Sequence, residues 1–119
     1  MLDGLESQRS NMTEEEYNAY KAELIVMRGY VQDLMCQFWG DIPYIDHTLG
    51  MNATYTREPR AEVTAKILEC MNDELLDYLP VRWAKKDYGS GRIGRVCAYG
   101  IKARICLNWG MYDKAAEYA

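Results

Sequence analysis

Residues 13–39 carry the pattern that most constrains this chain, because apolar side chains recur there at steps of three and four. Such spacing places them on one face of an α-helix of about seven turns. Thr13 and Glu16 form a capping-box pattern at its start, and Gly40 stands where a helix cap is expected. A glycine at position 29 indicates close approach of a neighbouring helix. The predicted face consists of Tyr17, Tyr20, Leu24, Met27, Val31, Leu34, Met35 and Phe38.

Three further helices are predicted, at about 60–79, 95–109 and 112–119. Pro59 precedes the second, Pro80 ends it, and Gly110 caps the third. No segment has the two-residue alternation of a strand, so the fold class is all-α. The fourth helix stops after about two turns, which predicts a partial unit over residues 1–119 with little stability of its own.

The third and fourth helices meet in a pattern typical of tetratricopeptide-like hairpins. Small residues let two helices pack closely, a glycine makes the turn, and an aromatic residue follows it. The pattern consists of Ala103, Leu107, Gly110, Tyr112 and Ala115. It predicts a helical scaffold and carries no information about a ligand.

Charge and hydropathy exclude several classes of function. The 119 residues carry a net charge of -4, which argues against nucleic-acid binding. No apolar run is long enough to cross a membrane. Met1 is followed by a polar, acidic stretch and not by a secretory signal. Two alternatives remain open: the chain is cytosolic, or its true N-terminus lies upstream.

Neither a catalytic nor a metal site is expected. The four cysteines, Cys36, Cys70, Cys97 and Cys106, form no C-x-x-C pair and are interpreted as small buried apolar residues. Cys97 and Cys106 would face opposite sides of one helix, so no disulfide is expected between them. The single histidine, His47, lies in a predicted loop without a nucleophile motif. We therefore predict no metal and no cofactor.

Residues 89–94 match G-x-G-x-x-G, the pattern of glycine-rich nucleotide loops. A dinucleotide site needs a preceding strand, whereas Lys85 and Lys86 precede this segment in a predicted loop. A kinase would need further motifs that the sequence lacks. The segment is therefore interpreted as a flexible connection. More informative are ten tyrosines and three tryptophans against one phenylalanine, because such rings stack on sugars or pack in helical cores.

Four blocks, in order, resemble the SusD/RagB family of nutrient-binding proteins over about residues 20–119. The first block resembles the family's helix around an L-R-A-Y core, and the second resembles its F-G-D-I-P turn. The third resembles the R-x-P-x-x-E-V motif at the start of the family's next helix and the L-P motif at its end. They are Glu23–Tyr30, Phe38–Tyr44, Thr56–Val63 with Leu79–Pro80, and Gly91–Ala116. The sequence departs from the family at Gly94, where threonine is frequent, at Val96, where glycine is frequent, and at Gly100 and Asn108.

The resemblance implies a SusD-like helical scaffold and a function that the residues alone do not indicate. Family members are surface-exposed outer-membrane lipoproteins that capture glycans or other nutrients for a SusC-like TonB-dependent transporter, without catalysis. They are several times longer, so the lipid anchor and most of the ligand region would lie outside this chain. The ligand-binding residues stay unknown.

The matched residues are expected to support the fold and not to contact a ligand. They are Arg28, Gly40, Asp41, Pro43, Arg92, Ala103, Arg104, Gly110 and Ala115. The main alternative is a cytosolic tetratricopeptide-type adaptor that binds other proteins. A glycoside hydrolase is a more distant alternative, since it would need two carboxylates in one cleft.

Overall fold

The computed structural model describes residues 1–83 and 91–119, and helices account for the regular structure of that part. The helices are α1 (Leu2–Ser7), α2 (Glu14–Trp39), α3 (Arg60–Cys70), α4 (Asp73–Leu76), α5 (Arg95–Asn108) and α6 (Tyr112–Tyr118), with a 3-10 turn at Arg9–Asn11. Within these ranges the strand-like pairing is limited to an isolated antiparallel bridge between Ile42 and Glu58. The predicted all-α fold class is confirmed.

The two ends of α2 follow from the residues that flank it. The backbone N–H of Glu16 donates to the Thr13 hydroxyl at 3.2 Å, and the N–H of Thr13 donates to the Glu16 carboxylate at 3.0 Å. This capping box satisfies backbone groups that the first turn leaves without partners. Gly40 follows the last turn with a φ of 74°, a conformation that glycine adopts without strain. Both predicted caps are confirmed.

The apolar stripe predicted on α2 faces outward, apart from Tyr17. Tyr17 is buried, whereas Met27, Val31 and Phe38 are exposed. The helix buries its other face, which consists of Ala22, Ile25, Val26, Gly29, Gln32, Asp33 and Cys36. Both faces have three- and four-residue spacing, and the buried one includes small and polar residues with low hydropathy. The predicted stripe is therefore not the face that packs against the core, although the helix is where it was predicted.

Gly29 lies where α3 and the residue after it approach α2. A Cβ on Gly29 would lie 2.3 Å from Met71 Cε and 3.0 Å from Ile67 Cγ2. The close approach expected from this glycine is confirmed. The core around it joins α2 to the later helices through Val26, Cys36, Val63, Ile67, Met71, Leu76, Leu79, Ala98 and Ile105.

The helix predicted at 60–79 is interrupted after Cys70. Asn72 takes an extended conformation, and its side chain accepts a hydrogen bond from the N–H of Leu75 at 2.9 Å. An asparagine that caps a new helix competes with continuation of the old one. The segment therefore forms α3 and the short α4, and Pro80 follows as predicted.

Hydrophobic periodicity does not predict α1, which buries none of its residues. Polar contacts hold it, together with the half-buried Leu2, which packs against the core. The Tyr17 hydroxyl donates to Glu6, and the backbone N–H of Thr48 donates to Asp3 at 2.8 Å. The start of the chain is therefore tied both to α2 and to the loop that follows α2.

The α5–α6 hairpin has the predicted turn. Gly110 has a φ of 74°, and the N–H of Met111 donates to the carbonyl of Cys106 at 2.8 Å. Ala115 is buried in the hairpin. A small residue at that position lets the two helices pack closely, as the tetratricopeptide-like pattern predicts.

All four cysteines are free, and two of them fit the predicted role. Cys36 and Cys106 are buried, and burial raises the pKa of both thiols. Cys70 is half-buried, whereas Cys97 is exposed. The expectation that all four are buried is therefore wrong for Cys97, which lies in the first turns of α5 on the side away from the core.

Candidate functional site

A groove of about 660 Å³ lies between α3 and the residues that end α5 and form α6. We call it the α3–α6 groove. Two aromatic side chains, Trp109 and Tyr118, line it together with the charged groups of Arg60, Glu69 and Lys114. The other lining residues are Ala61, Thr64, Ala65, Leu68 and Met111. Aromatic faces beside polar groups suit a ligand that has both apolar and hydroxyl surfaces.

Trp109 is held in place by a buried carboxylate. Its indole Nε1–H donates to Asp33 Oδ1 at 2.7 Å, and Asp33 is 2% exposed. Gln37 and Asn108 donate to Asp33 Oδ2 at 2.6 and 3.3 Å. The guanidinium carbon of Arg60 lies 5.0 Å from the centroid of the Trp109 ring, within cation–π range. The indole is therefore fixed by its edge and covered by Arg60 on one face.

Tyr118 is positioned by a buried lysine. Lys102 is 2% exposed, and its Nζ lies 4.2 Å from the centroid of the Tyr118 ring. The ammonium donates to Asp73 at 2.9 Å, and this hydrogen bond lowers the pKa of Asp73. A buried ammonium needs a partner of opposite charge, which Asp73 supplies from the start of α4. The ion pair therefore ties α5 to α4 and supports one side of the groove.

A second groove, of about 370 Å³, lies along α2 and is mostly apolar. We call it the α2 groove. The outward residues Leu24, Met27, Val31 and Met35 form part of it, and the start of α1 and residues 42–48 form the rest. Gln32 also lines it and is 7% exposed.

Gln32 is the polar exception in the wall of the α2 groove. Its Nε2 donates to the carbonyl of Ile45 at 3.1 Å, which fixes the orientation of the amide. Its Oε1 is buried without a hydrogen-bond partner among the described residues. A buried acceptor without a partner is energetically costly.

Arg28, Tyr44 and Cys70 form a polar cluster behind this groove. Arg28 donates to the Tyr44 hydroxyl at 3.3 Å, and that hydroxyl lies 3.3 Å from Cys70 Sγ. Burial raises the pKa of Tyr44 well above its ordinary value. The phenol therefore stays protonated at neutral pH and acts as a hydrogen-bonding group that joins the loop after α2 to α3.

Several of the residues expected to support the fold make contacts within the scaffold. Asp41 accepts a hydrogen bond from the N–H of Arg60 at 3.0 Å. Arg92 pairs with Glu23, and its guanidinium carbon lies 3.6 Å from the centroid of the Trp83 ring. Arg28 and Pro43 line the α2 groove. The two glycines, Gly40 and Gly110, have positive φ. Of the remaining three, Ala115 is buried, Ala103 is half-buried and Arg104 is exposed. None of these nine lines the α3–α6 groove.

The remaining sequence candidate that the structure describes, His47, lies at the edge of the α2 groove and does not line the α3–α6 groove. His47 is exposed in a loop, where its Nδ1 lies 2.7 Å from Asp46 and its Nε2 lies 3.1 Å from the Tyr55 hydroxyl. The described residues do not include Gly89 and Ser90 of the glycine-rich segment, nor Lys85 and Lys86 before it. Within residues 1–83 and 91–119, no three His, Cys, Asp or Glu side chains are grouped so that they could hold a metal ion. The helices of the same ranges are too short or too polar to cross a membrane.

The comparison with protein families decides the identity of the chain. Residues 1–107 match the SusD-like family that is described as starch-binding and associating with the outer membrane. The chain belongs to the SusD-like family. None of the curated proteins matches it significantly. The predicted family resemblance is confirmed.

Solved SusD-like structures share the fold at low sequence identity. A SusD superfamily protein from Bacteroides thetaiotaomicron aligns with 98% of this chain at 21% identity and a TM-score of 0.82, over 27% of its own length. A surface glycan-binding protein from Bacteroides uniformis aligns with 98% at 20% identity and a TM-score of 0.79, over 26% of its length. A SusD-like protein from Bacteroides fragilis aligns with 90% at 22% identity and a TM-score of 0.78, over 21% of its length. This SusD-like chain thus spans about a quarter of the structures it matches.

One departure of this SusD-like chain from the family pattern has a physical reason. Gly94 caps the start of α5, and a Cβ there would lie 3.0 Å from the carbonyl oxygen of Val81 and 3.2 Å from that of Pro80. The N–H of Arg95 donates to the Pro80 carbonyl at 2.8 Å. The glycine therefore allows the backbone after α4 to lie directly against the start of α5.

Sequence reasoning did not find the residues of the two grooves. The α3–α6 groove combines residues 60–69 with residues 109–118, and it depends on how α3 packs against the α5–α6 hairpin. The excess of tryptophan and tyrosine was the available signal. It left two interpretations open, surfaces that stack on sugars or rings packed in helical cores, and it did not say which rings would have either role.

Proposed function

We propose that this protein captures glycans at the bacterial outer membrane and passes them, uncleaved, to a SusC-like TonB-dependent transporter. The family match over residues 1–107 carries the proposal, since that family is described as starch-binding and associating with the outer membrane. The similar protein from Bacteroides uniformis is described as a surface glycan-binding protein, which supports the same role. A lipid anchor would hold the protein at the cell surface, and other nutrients are possible cargo.

The α3–α6 groove is the glycan-contacting surface that we propose within this chain. Trp109 and Tyr118 offer aromatic surface for the apolar faces of sugar rings. Arg60, Glu69 and Lys114 offer donors and acceptors for hydroxyl groups. Sugars are strongly hydrated, so the net affinity of one such groove is expected to be weak, roughly micromolar to millimolar.

The small number of carboxylates in the α3–α6 groove supports capture without catalysis. Glycosidases use two carboxyl groups on either side of the scissile bond, about 5–9.5 Å apart. Glu69 is the single carboxylate among the described residues that line the α3–α6 groove. A bound glycan would therefore meet a hydrogen-bonding acceptor and not an acid–base pair.

The experiment is titration calorimetry of the 119-residue chain with soluble starch oligosaccharides, before and after removal of two charged side chains. Glu69→Ala with Lys114→Ala should weaken binding at least about fivefold, because both groups are exposed and free to contact hydroxyls. The matched control is Glu74→Ala, which removes an exposed carboxylate on α4 outside the groove. It should leave binding unchanged.

Two results would contradict parts of this proposal. If starch oligosaccharides and a broader glycan panel give no heat of binding, the capture role of this segment fails. If the oligosaccharides are shortened during incubation, the protein is not a simple capture protein. Equal weakening by the groove variants and by Glu74→Ala would remove the α3–α6 groove from the proposal while leaving capture itself intact.

The alternative of a cytosolic tetratricopeptide-type adaptor receives less support. The family description and the protein from Bacteroides uniformis both point to glycans and the outer membrane. The tetratricopeptide-like hairpin of α5 and α6 fits both functions, because it is a scaffold element. Binding to a glycan panel is therefore the observation that separates the two.

A further inference from the structure

Asp33 is a buried carboxylate that is held by neutral groups. It is 2% exposed, and its oxygens accept hydrogen bonds from the side chains of Trp109, Gln37 and Asn108. None of the ion pairs among the described residues includes it. Burial of a charge without a cationic partner is costly, and a well-packed apolar residue in its place is often neutral or stabilising. Core packing therefore does not explain why this position carries a carboxylate.

The hydrogen bonds of Asp33 reach the end of α5 and fix the direction of one ring. Asn108 is the last residue of α5, and Trp109 follows it. Of the two bonds to this segment, the indole bond of 2.7 Å is shorter than the amide bond of 3.3 Å. An indole has a single N–H donor. Its bond to Asp33 therefore determines which edge of the Trp109 ring points into the core.

The ring that Asp33 holds is also part of the wall of the α3–α6 groove. Trp109 is half-buried and lines that groove, whereas Asp33 does not line it. A ligand that stacks on a mobile side chain must first order it, which lowers affinity by about two- to tenfold. A ring that is ordered before binding avoids this loss. A hydrogen bond made in the core therefore affects affinity at the surface.

The contact between Trp109 and Arg60 does not replace this hydrogen bond. The guanidinium carbon of Arg60 lies 5.0 Å from the centroid of the indole, and Arg60 is exposed. A cation over an aromatic face is attracted to the ring as a whole. It therefore constrains its distance from the ring but not the rotation of the ring within its own plane, which the N–H bond fixes.

We propose that Asp33 is a positioning residue of the α3–α6 groove, which holds the indole of Trp109 as an ordered surface on which a sugar ring stacks. This inference rests on the proposed function of the groove. Asp33 acts through Trp109 alone and does not touch the glycan. The central helix α2 thereby contributes to a site whose walls belong to α3, to the end of α5 and to α6.

Two substitutions of Asp33 test the proposal by titration calorimetry of the full chain with starch oligosaccharides. Asp33→Ala removes the acceptor of the indole N–H and should weaken binding at least about threefold. Asp33→Asn keeps a carbonyl oxygen for the indole, and the amide of Gln37 can turn to accept from the new NH₂ group. It should therefore restore most of the affinity.

Val26→Ala is the matched control for loss of stability. Val26 is fully buried on the same helix and does not line the groove. Its truncation leaves a cavity and destabilises the fold without removing a hydrogen bond of Trp109. Binding should stay unchanged in this variant. Equal weakening by Val26→Ala and Asp33→Ala would assign the effect to stability and overturn the positioning role.

Nuclear magnetic resonance of the ligand-free chain gives a second readout that depends on the indole alone. The Nε1–H signal of Trp109 is assigned by its loss in Trp109→Phe. Its exchange with water should be slow in the unchanged chain and in Asp33→Asn, and fast in Asp33→Ala. Slow exchange that persists in Asp33→Ala would show that other contacts fix the ring, and the proposal would be wrong.

Failure of this inference differs from failure of the proposed function. If the unchanged chain binds glycans and Asp33→Ala binds them with equal affinity, the positioning role fails while capture stands. If the unchanged chain gives no heat of binding with any glycan, capture by this segment fails, and the positioning role fails with it.

Discussion

At the scale of single residues, the structure uses two helical glycines in opposite ways. Gly29 faces the core, where a Cβ would meet Met71 Cε at 2.3 Å and Ile67 Cγ2 at 3.0 Å. Gly100 lies on the exposed side of α5, where a Cβ would have no heavy atom within 4 Å. The same substitution should therefore have opposite effects at the two sites.

Gly29→Ala should lower the free energy of unfolding by about 1 kcal/mol. The gain in helix propensity is about 1 kcal/mol, whereas overpacking a core costs about 1–3 kcal/mol. Met71 can shift its terminal methyl, but Ile67 is branched and 2% exposed, so it has little room to move. Urea denaturation followed by circular dichroism would measure the difference.

Gly100→Ala is the matched control, and it should raise the free energy of unfolding by about 0.5–1 kcal/mol. If Gly29→Ala stabilised the protein as much as Gly100→Ala, the contact between α2 and α3 would be looser than described.

Two buried charged residues could not be found from the sequence. Asp33 and Lys102 each lie within a helix, where a charged side chain normally faces water. Their burial is possible because Trp109 and Asp73, distant in sequence, supply the partners. A pattern along one helix contains no information about partners that tertiary packing brings to it.

At the scale of elements, the ends of α2 could be predicted from its sequence, whereas its packed face could not. The capping box and the glycine cap are local, and both were predicted at the right residues. The packed face depends on the other helices, since small residues such as Ala22 and Cys36 are buried by close approach and not by high hydropathy. Periodicity locates a helix, but with two apolar faces it does not decide which one packs inside the chain.

The attachment of α1 should be sensitive to acid. The hydrogen bond from the Thr48 hydroxyl lowers the pKa of Asp3, and the hydrogen bond from the Tyr17 hydroxyl lowers the pKa of Glu6. A lowered pKa in the attached state stabilises attachment above the ordinary values of 3.8 and 4.5. That stabilisation is lost as the pH falls through the lowered values, because both carboxylates are then protonated.

Hydrogen exchange of the α1 amides, corrected for intrinsic rates, would measure this release. Protection should be present near neutral pH and should fall below about pH 4, while protection of α2 persists. In a chain with Asp3→Asn and Glu6→Gln, protection of α1 should be low at every pH. Protection of α1 that stays constant through this range in the unchanged chain would show that other contacts hold the helix.

At the scale of the whole molecule, the chain is flatter and looser than a compact domain of its length. Its radius of gyration is 15.2 Å, whereas about 13.5 Å is typical for 119 residues. Its principal extents are 41 × 40 × 23 Å. A thin arrangement of helices leaves much of each helix exposed, which agrees with the outward face of α2.

The thermal unfolding of the isolated chain should be broad and of low cooperativity. A small core provides little apolar burial per residue, and α6 has seven residues with one of them buried. Circular dichroism during heating would measure the transition. A sharp transition, with full helix content before it, would contradict the expected weak stability.

The positions of the three tryptophans give the chain internal fluorescent probes of three separate regions. Trp39 is 68% exposed at the end of α2, Trp83 lies beneath the guanidinium of Arg92, and Trp109 donates its indole N–H to a buried carboxylate. A soluble quencher should therefore reach Trp39 more readily than the half-buried Trp83 and Trp109. Single-tryptophan variants would follow the surface of α2, the connection before α5 and the α3–α6 groove separately, without any added dye.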